Sequence, residues 1–228
     1  MKDLSIVYDF SVMPVTFDGV VALCAAAALA KQGPAGSLCT VTFIRDSYRQ
    51  LSLRDKEYGE PIKKWRSENI LARAAGLIEN VKAVTVSDSR DVSIATDLLY
   101  PSDWTPQSPK PLPYTWQTLT FLNNQGIDFQ LLQSGPQALE FMRSYLSDHK
   151  MNVSLSVRVA DYNESRDSKL EDWKSLYQSL EDAGYHCVIV PDQQLAMSGD
   201  TSVFPRERVA WAAAIDLELR LAMYQSCH

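Results

Sequence analysis

The chain is poor in the residues that make ready-made chemical motifs. Its 228 residues include four cysteines, Cys24, Cys39, Cys187 and Cys227, with no C-x-x-C pair among them. Three of these lie inside apolar runs, where a free thiol behaves as a small hydrophobe, and their spacing is unlike a disulfide framework. Three histidines, at 149, 186 and 228, have no metal-ligand spacing, which argues against a structural zinc site. Glycine is also scarce, with nine in all. No G-x-G-x-x-G follows the first apolar run and no P-loop is present, so the standard dinucleotide and Walker signatures are excluded. No G-x-S-x-G elbow marks a serine hydrolase. Positive charge is in deficit, with 22 Lys and Arg against 28 Asp and Glu, a net charge of −6. That excludes a general affinity for nucleic acid or anionic lipid but leaves room for a local basic pocket. Long hydrophobic runs are missing too. The most apolar stretch, 19–30, is about 12 residues and too short to span a bilayer. The N-terminus turns polar too early for a signal peptide, so a cytoplasmic location is expected.

What is present is a regular alternation of strand and helix. Leu4 to Tyr8 reads as a first strand ending at Asp9, followed by a loop with Pro14 and an Ala-rich helix from about Phe17 to Lys31, with Thr16 or Asp18 as its cap. Leu38 to Ile44 is a second strand, β-branched and aromatic. Glu60-Pro61 opens a helix reaching about Ile78, and Val81 to Val86 is a third strand. A short helix is expected near 92–100. Pro101 to Pro113 holds five of the 11 prolines and reads as an extended connection anchored by Trp104, Tyr114 and Trp116. A helix over 115–123, a strand over 129–132 and a helix over 136–149 follow. The clearest unit comes last. Asn152 to Val159 alternates with a period of two, the mark of a half-buried strand. Leu170, Trp173, Leu176, Tyr177 and Leu180 line one face of a helix over 169–183, which Gly184 ends. Cys187 to Val190 is a strand closed by Pro191-Asp192. The final elements are a loop over 193–203 and one long helix from Arg206 to Gln225. The expected class is α/β, three-layered and Rossmann-like, with a mostly parallel sheet.

Ligands of open parallel sheets bind outside the carboxyl ends of the strands. The residues that follow the strands are therefore the candidates: Asp9 with the loop Ser11 to Thr16, then Arg45 and Asp46, Ser87 and Asp88, the group Arg158, Asp161, Tyr162 and Arg166, and finally Asp192. Arg158 stands out, because it lies in an otherwise apolar and hydroxylic strand, next to its end, and an Arg there must reach the rim or meet a carboxylate. Its planar fork suits phosphate or carboxylate. With Arg166 and the start of the next helix it would suit a diphosphate. A structural salt bridge is the competing reading for Arg158. Asp161, Asp167 and Asp192 could each serve as a base, and spacing singles out none of them.

The segment from Val153 to Asp192 carries Val-Ser-Leu-Ser-Val-Arg-Val, Tyr162, Arg166-Asp167-Ser168, Leu170, Trp173, Gly184-Tyr185 and Val188-Ile189-Val190-Pro191-Asp192. It resembles the start of the C-terminal half of bacterial glycosyltransferase-like proteins of GT-B architecture. Asp167 stands where those sequences have Asn in "Arg-Asn-Ser". The Arg206 to Tyr224 stretch, with Trp211 and Asp216, is similar to the next helix of that group, and Phe10 to Ala30 to its opening strand, loop and helix. The resemblance implies two Rossmann-like halves, 1–148 on the acceptor side and 149–228 on the donor side. It also implies that the second half lacks much of its length and is covered by the last helix or by a second copy of the chain. The implied reaction moves a sugar from a nucleotide-sugar donor to a small-molecule or glycan acceptor, without a bound metal or a covalent cofactor. Arg158, Tyr162, Arg166 and Asp192 would hold the donor, and Ser11, Thr16 and Asp18 would lie beside the acceptor. A nucleotide- or sugar-phosphate-binding domain without catalysis is the alternative. A non-catalytic protein that binds a partner through Trp104 and the Pro101–Pro113 segment is another.

Overall fold

The computed structural model describes residues 3–32, 38–51, 56, 58–94, 98–113, 116–148, 150–159, 167–199 and 203–227. The chain divides into two compact units, Met1–Leu132 and Gln133–His228.

The first unit is a four-stranded sheet with every pairing parallel: β1 (Leu4–Asp9), β2 (Cys39–Ile44), β3 (Val81–Ser87) and β4 (Leu98–Tyr100), in the order β3-β2-β1-β4. β1 is central and buried over five consecutive residues, as an apolar strand covered on both faces must be. β3 lies at one edge, and the only residues it shields from solvent are half-buried. Helix α1 (Asp18–Lys31) buries ten residues, most of them alanine. Helix α2 opens at Glu60–Arg66, widens through a π-helical stretch at Ser67–Ala72 and closes at Arg73–Gly76. Its buried residues, Lys63, Ser67, Ile70, Leu71, Ala74 and Ala75, recur at helical spacing. Tyr8, Phe10 and Phe43 form an aromatic cluster with ring centroids 5.2–5.7 Å apart. Helix α3 (Trp116–Asn124) completes the unit.

The segment expected as a short helix near 92–100 ends instead in β4. The bulky Leu98-Leu99-Tyr100 run pairs with Leu4, Ser5 and Ile6 of β1. The strand expected at 129–132 is reduced to a single bridge between Ile78 and Leu132.

The second unit holds one parallel pair, β5 (Asn152–Val157) and β6 (His186–Pro191). Residues alternate across β6. Val188 and Val190 pack with Ala138, Met142, Ala213, Ala222 and Met223. Cys187 and Ile189 pack with Leu155, Val157, Leu195 and Phe204, and Trp173, Tyr177 and Leu180 of helix α5 (Leu170–Asp182) lean on that face. Leu176, expected on the apolar face, is exposed. Gly184 adopts φ +92°, the left-handed turn that ends α5.

Helix α4 (Pro136–Arg143) is shorter than expected and belongs to this unit rather than to the first. Its start is fixed here: Gly135 N–H donates to Glu218 Oε1 at 3.0 Å, and Ser134 to Gln225. The loop expected over 193–203 contains helix α6 (Gln193–Ser198). The single long helix expected from Arg206 is three pieces: a 3-10 turn at Arg206–Arg208, α7 (Trp211–Ile215) and α8 (Leu217–Ser226). Two competing bonds break it. Ala210 N–H is drawn to the Ile189 carbonyl at 2.9 Å, and Asp216 is extended and caps α8 by accepting from Leu219 N–H at 3.0 Å.

Candidate functional site

The strand order of the first unit reverses between β1 and β4, and the carboxyl ends of those strands are where an open α/β sheet presents its crevice. Asp9 closes β1 at this point and is 0% exposed. A buried carboxylate has to be met by donors, and here it is. Oδ1 accepts from Ser11 N–H at 2.9 Å and Ser11 Oγ at 2.6 Å. Oδ2 accepts from Arg90 Nε at 3.0 Å and Trp104 Nε1 at 3.3 Å. Arg90 also pairs with Asp46 at 2.9 Å and reaches Ser47 Oγ at 3.1 Å. The hydrogen bond to Asp9 holds the Arg90 guanidinium even more firmly protonated than usual. Beside it Arg45 is bracketed by Asp88 and Glu68. The bond from Arg45 keeps the Asp88 carboxyl below the ordinary range. Each of these two arginines thus sits between two carboxylates.

The loop after β1 is anchored as tightly. Tyr8 Oη donates to the Pro14 carbonyl at 2.6 Å, Arg66 Nε to the Val15 carbonyl at 2.8 Å, and Arg49 N–H to the Phe10 carbonyl at 2.7 Å. Gly19 is required beneath it, since a Cβ there would come within 2.1 Å of Tyr8 Oη. Of the three residues expected beside an acceptor, Ser11 is bonded to Asp9 and Thr16 is buried, with its hydroxyl donating to Asp18 Oδ2 at 3.0 Å. Asp18 is exposed at the start of α1. Neither Thr16 nor Asp18 caps α1 through its side chain, because Phe17 occupies the capping position.

In the second unit, Arg158 stands immediately after β5. Its N–H donates to Ser168 Oγ at 3.0 Å, and Ser168 N–H donates back to the Arg158 carbonyl at 2.7 Å. This reciprocal clasp joins the carboxyl end of β5 to the approach to α5. The Arg158 side chain is 26% exposed and its Nε lies 3.8 Å from Asp167 Oδ1. Asp192 follows β6 in the same register, its N–H donating to the Val157 carbonyl at 2.8 Å. Arg158, Asp167, Ser168 and Asp192 therefore share one edge of the β5–β6 pair. Asp161, Tyr162 and Arg166 lie outside the described residues.

Three features escaped the sequence reading. Arg90 follows β3 by three residues, and only the fold shows that it turns back to Asp9. Trp104, expected to anchor the proline-rich segment or to meet a partner, is buried at 4% exposure and committed to Asp9. Lys63 occupies a buried position of α2, at 2% exposure. The helical spacing of Lys63, Ser67, Ile70 and Ala74 was the available signal. Among the described residues, no cluster of His, Cys, Asp and Glu could hold a metal ion, and no helix is long and apolar enough to cross a membrane.

No family model matches the chain, and neither does any curated protein. Solved structures do resemble it. The ADP-heptose LPS heptosyltransferase II of E. coli is 15% identical, with a TM-score of 0.43 over 100% of this chain and 77% of that one. The E. coli heptosyltransferase WaaC with ADP is 10% identical, with a TM-score of 0.34 over 93% and 78%. The same enzyme with ADP-2-deoxy-2-fluoro heptose is 13% identical, with a TM-score of 0.33 over 93% and 79%. The Rossmann-like α/β class rests on the chain's own parallel strands and their order.

Proposed function

We propose that the chain is a glycosyltransferase-like protein of the cytoplasm that takes a nucleotide-sugar donor on its second unit and a small-molecule or glycan acceptor on its first. The observation that carries this reading is the Arg158 clasp. An arginine at the carboxyl end of a parallel strand, its backbone locked to Ser168 ahead of α5, is presented where a diphosphate would be received. The sequence signature from Val153 to Asp192 supports the same reading. A cationic side chain here would stabilise the charge that develops on the leaving nucleoside diphosphate. Asp192 and the residues Tyr162 and Arg166 are proposed to complete the donor side. The exposed Asp18, next to Thr16 and Ser11, is proposed to face the acceptor.

Binding without turnover is the second reading. It is favoured by the small platform of the second unit, which among the described residues has one strand pair joined by a bridge at Val209. Calorimetric titration with UDP, GDP and ADP, followed by mass spectrometry of the matching nucleotide sugars, tests both. Saturable binding of one nucleotide that weakens about tenfold or more in Arg158→Ala is expected, since a charge-assisted bond to phosphate is lost. Sugar transfer or release then favours the transferase, and its absence favours binding alone. No heat with any nucleotide would overturn the donor assignment.

A further inference from the structure

The two faces of β5 can be told apart residue by residue. Val153, Leu155, Val157 and Val159 turn to the side that packs against α5. Ser154 and Ser156 therefore turn to the other side, where α8 lies. Two contacts show it: Ser156 Oγ is 2.8 Å from Tyr224 Oη, and the Ser154 hydroxyl meets the Cys227 thiol. Strand and helix run in opposite directions. Two residues toward the carboxyl end of β5 advance about 6.6 Å, and three or four residues back along α8 advance about 5 Å. Ser154 stands by Cys227 and Ser156 by Tyr224, so the next step places position 158 beside position 220. Both positions are arginine.

Three carbonyls hold Arg220 at this level. Its Nε donates to Ala213 at 2.8 Å, and its Nη2 to Pro191 at 3.0 Å and to Ala214 at 3.2 Å. Pro191 is the register partner of Val157, the residue before Arg158. The clasp joins the end of β6 to the end of α7, and it spends three of the five guanidinium donors. The two on Nη1 make no hydrogen bond among the described residues, and Nη1 is not buried. Carbonyls satisfy donors but do not neutralise the charge. No described carboxylate lies within ion-pair distance of Arg220. Asp167 faces Arg158, and Asp216 Oδ1 accepts from Leu219 N–H at the start of α8. Arg220 is thus a cation fixed in place at the carboxyl edge, with an open donor pair on the same face as Arg158. We infer that Arg220 is a second phosphate-binding residue of the second unit, donating through Nη1 to the diphosphate that Arg158 meets. The inference rests on the donor reading of this edge and adds to it a residue from α8, which a planar fork held by its other nitrogens suits.

The test uses the full chain in phosphate-free buffer. UDP, GDP and ADP, each with its monophosphate, are titrated by calorimetry into wild type, Arg158→Ala and Arg220→Gln. The expected result is that Arg220→Gln weakens the diphosphate about tenfold and the monophosphate by less than about threefold, so that the preference for the diphosphate shrinks. Equal weakening of both would mark Arg220 as structural and overturn the inference. If Arg220→Gln fails to fold, wild type is treated with phenylglyoxal and its arginine adducts are mapped by peptide mass. Arg220 should be labelled in the free chain and protected by saturating diphosphate. An Arg220 that is never labelled, or is labelled equally in both states, overturns the inference. The two levels of the reading fail differently. A wild type that binds no nucleotide overturns the donor reading and Arg220 with it. Diphosphate binding that weakens in Arg158→Ala and is unchanged in Arg220→Gln overturns Arg220 alone.

Discussion

The carboxyl edges of the two sheets are built on opposite plans. In the first unit the charges are fixed through their side chains. Asp9 is wholly buried and accepts from Arg90, Trp104 and Ser11, while Arg45 and Arg90 each lie between two carboxylates. In the second unit Arg158 is fixed through its backbone by Ser168, while its partly exposed side chain meets Asp167 at 3.8 Å. A buried, fully engaged pair cannot change partners without a large penalty. A partly exposed pair at that distance can, because such pairs contribute little and are screened by salt. The difference separates a wholly buried polar frame from a partly exposed arginine, the one that the proposed function would use to meet a ligand.

The largest expected effect breaks the frame. Asp9→Ala should destabilise the protein by about 3 kcal/mol in urea denaturation, because it strands Arg90 and leaves the Trp104 and Ser11 donors unmet. Arg90 keeps some solvent access, which holds the loss to the low end for a buried pair. A loss below about 1 kcal/mol would mean the first edge is not locked.

Next comes the loop that this frame supports. Gly19→Ala should cost about 2 kcal/mol, since the new methyl meets the Tyr8 hydroxyl. Combining it with Tyr8→Phe should recover part of that loss, a non-additivity visible in a double-mutant cycle.

Alkaline pH should weaken the first unit as well. Burial pushes the Cys24 thiol up to about 11 and the Cys39 thiol up to about 12. A pKa higher in the folded chain means that the folded state holds its proton longer. The contribution is complete below the unfolded value near 9 and is lost as pH rises toward the folded values. Stability should therefore fall by about 1 kcal/mol per thiol between pH 9 and 10. At pH 8 a thiol-specific chromophoric reagent should leave both cysteines unmodified in the native protein. Rapid labelling of either would show the core of this unit to be open.

The smallest effect on stability belongs to the second edge. Arg158→Ala should change the free energy of unfolding by no more than about 0.5 kcal/mol, as befits a partly exposed pair.

Much of this was legible in the sequence. The apolar runs located five of the six strands among the described residues, because β-branched and aromatic residues at alternating or continuous apolar positions favour extended pairing. Arg158 was expected inside a strand reaching Val159, next to its end, whereas β5 ends at Val157 and leaves Arg158 just beyond it. What was missed depended on distant partners. Leu98 to Tyr100 has too few residues to announce a strand and becomes one only by adding to β1. The last helix is broken at Ala210 because its N–H is captured by Ile189, more than twenty residues earlier in the chain. Asp9 was visible as a strand-end carboxylate, but its engagement required Arg90 and Trp104, 81 and 95 residues away. Lys63 was hidden by its type, since a lysine in a charged helix segment reads as solvent-facing until the buried positions around it are counted.

The contrast between the two edges is tested most directly by titrating one nucleoside diphosphate series into wild type, Arg158→Ala and Arg90→Ala, each checked by circular dichroism to be folded. The account predicts that Arg158→Ala loses binding about tenfold or more with its stability nearly intact, while Arg90→Ala loses stability and keeps its affinity. Binding that survives in Arg158→Ala and vanishes in folded Arg90→Ala would contradict it, and would place the ligand-receiving edge on the first unit.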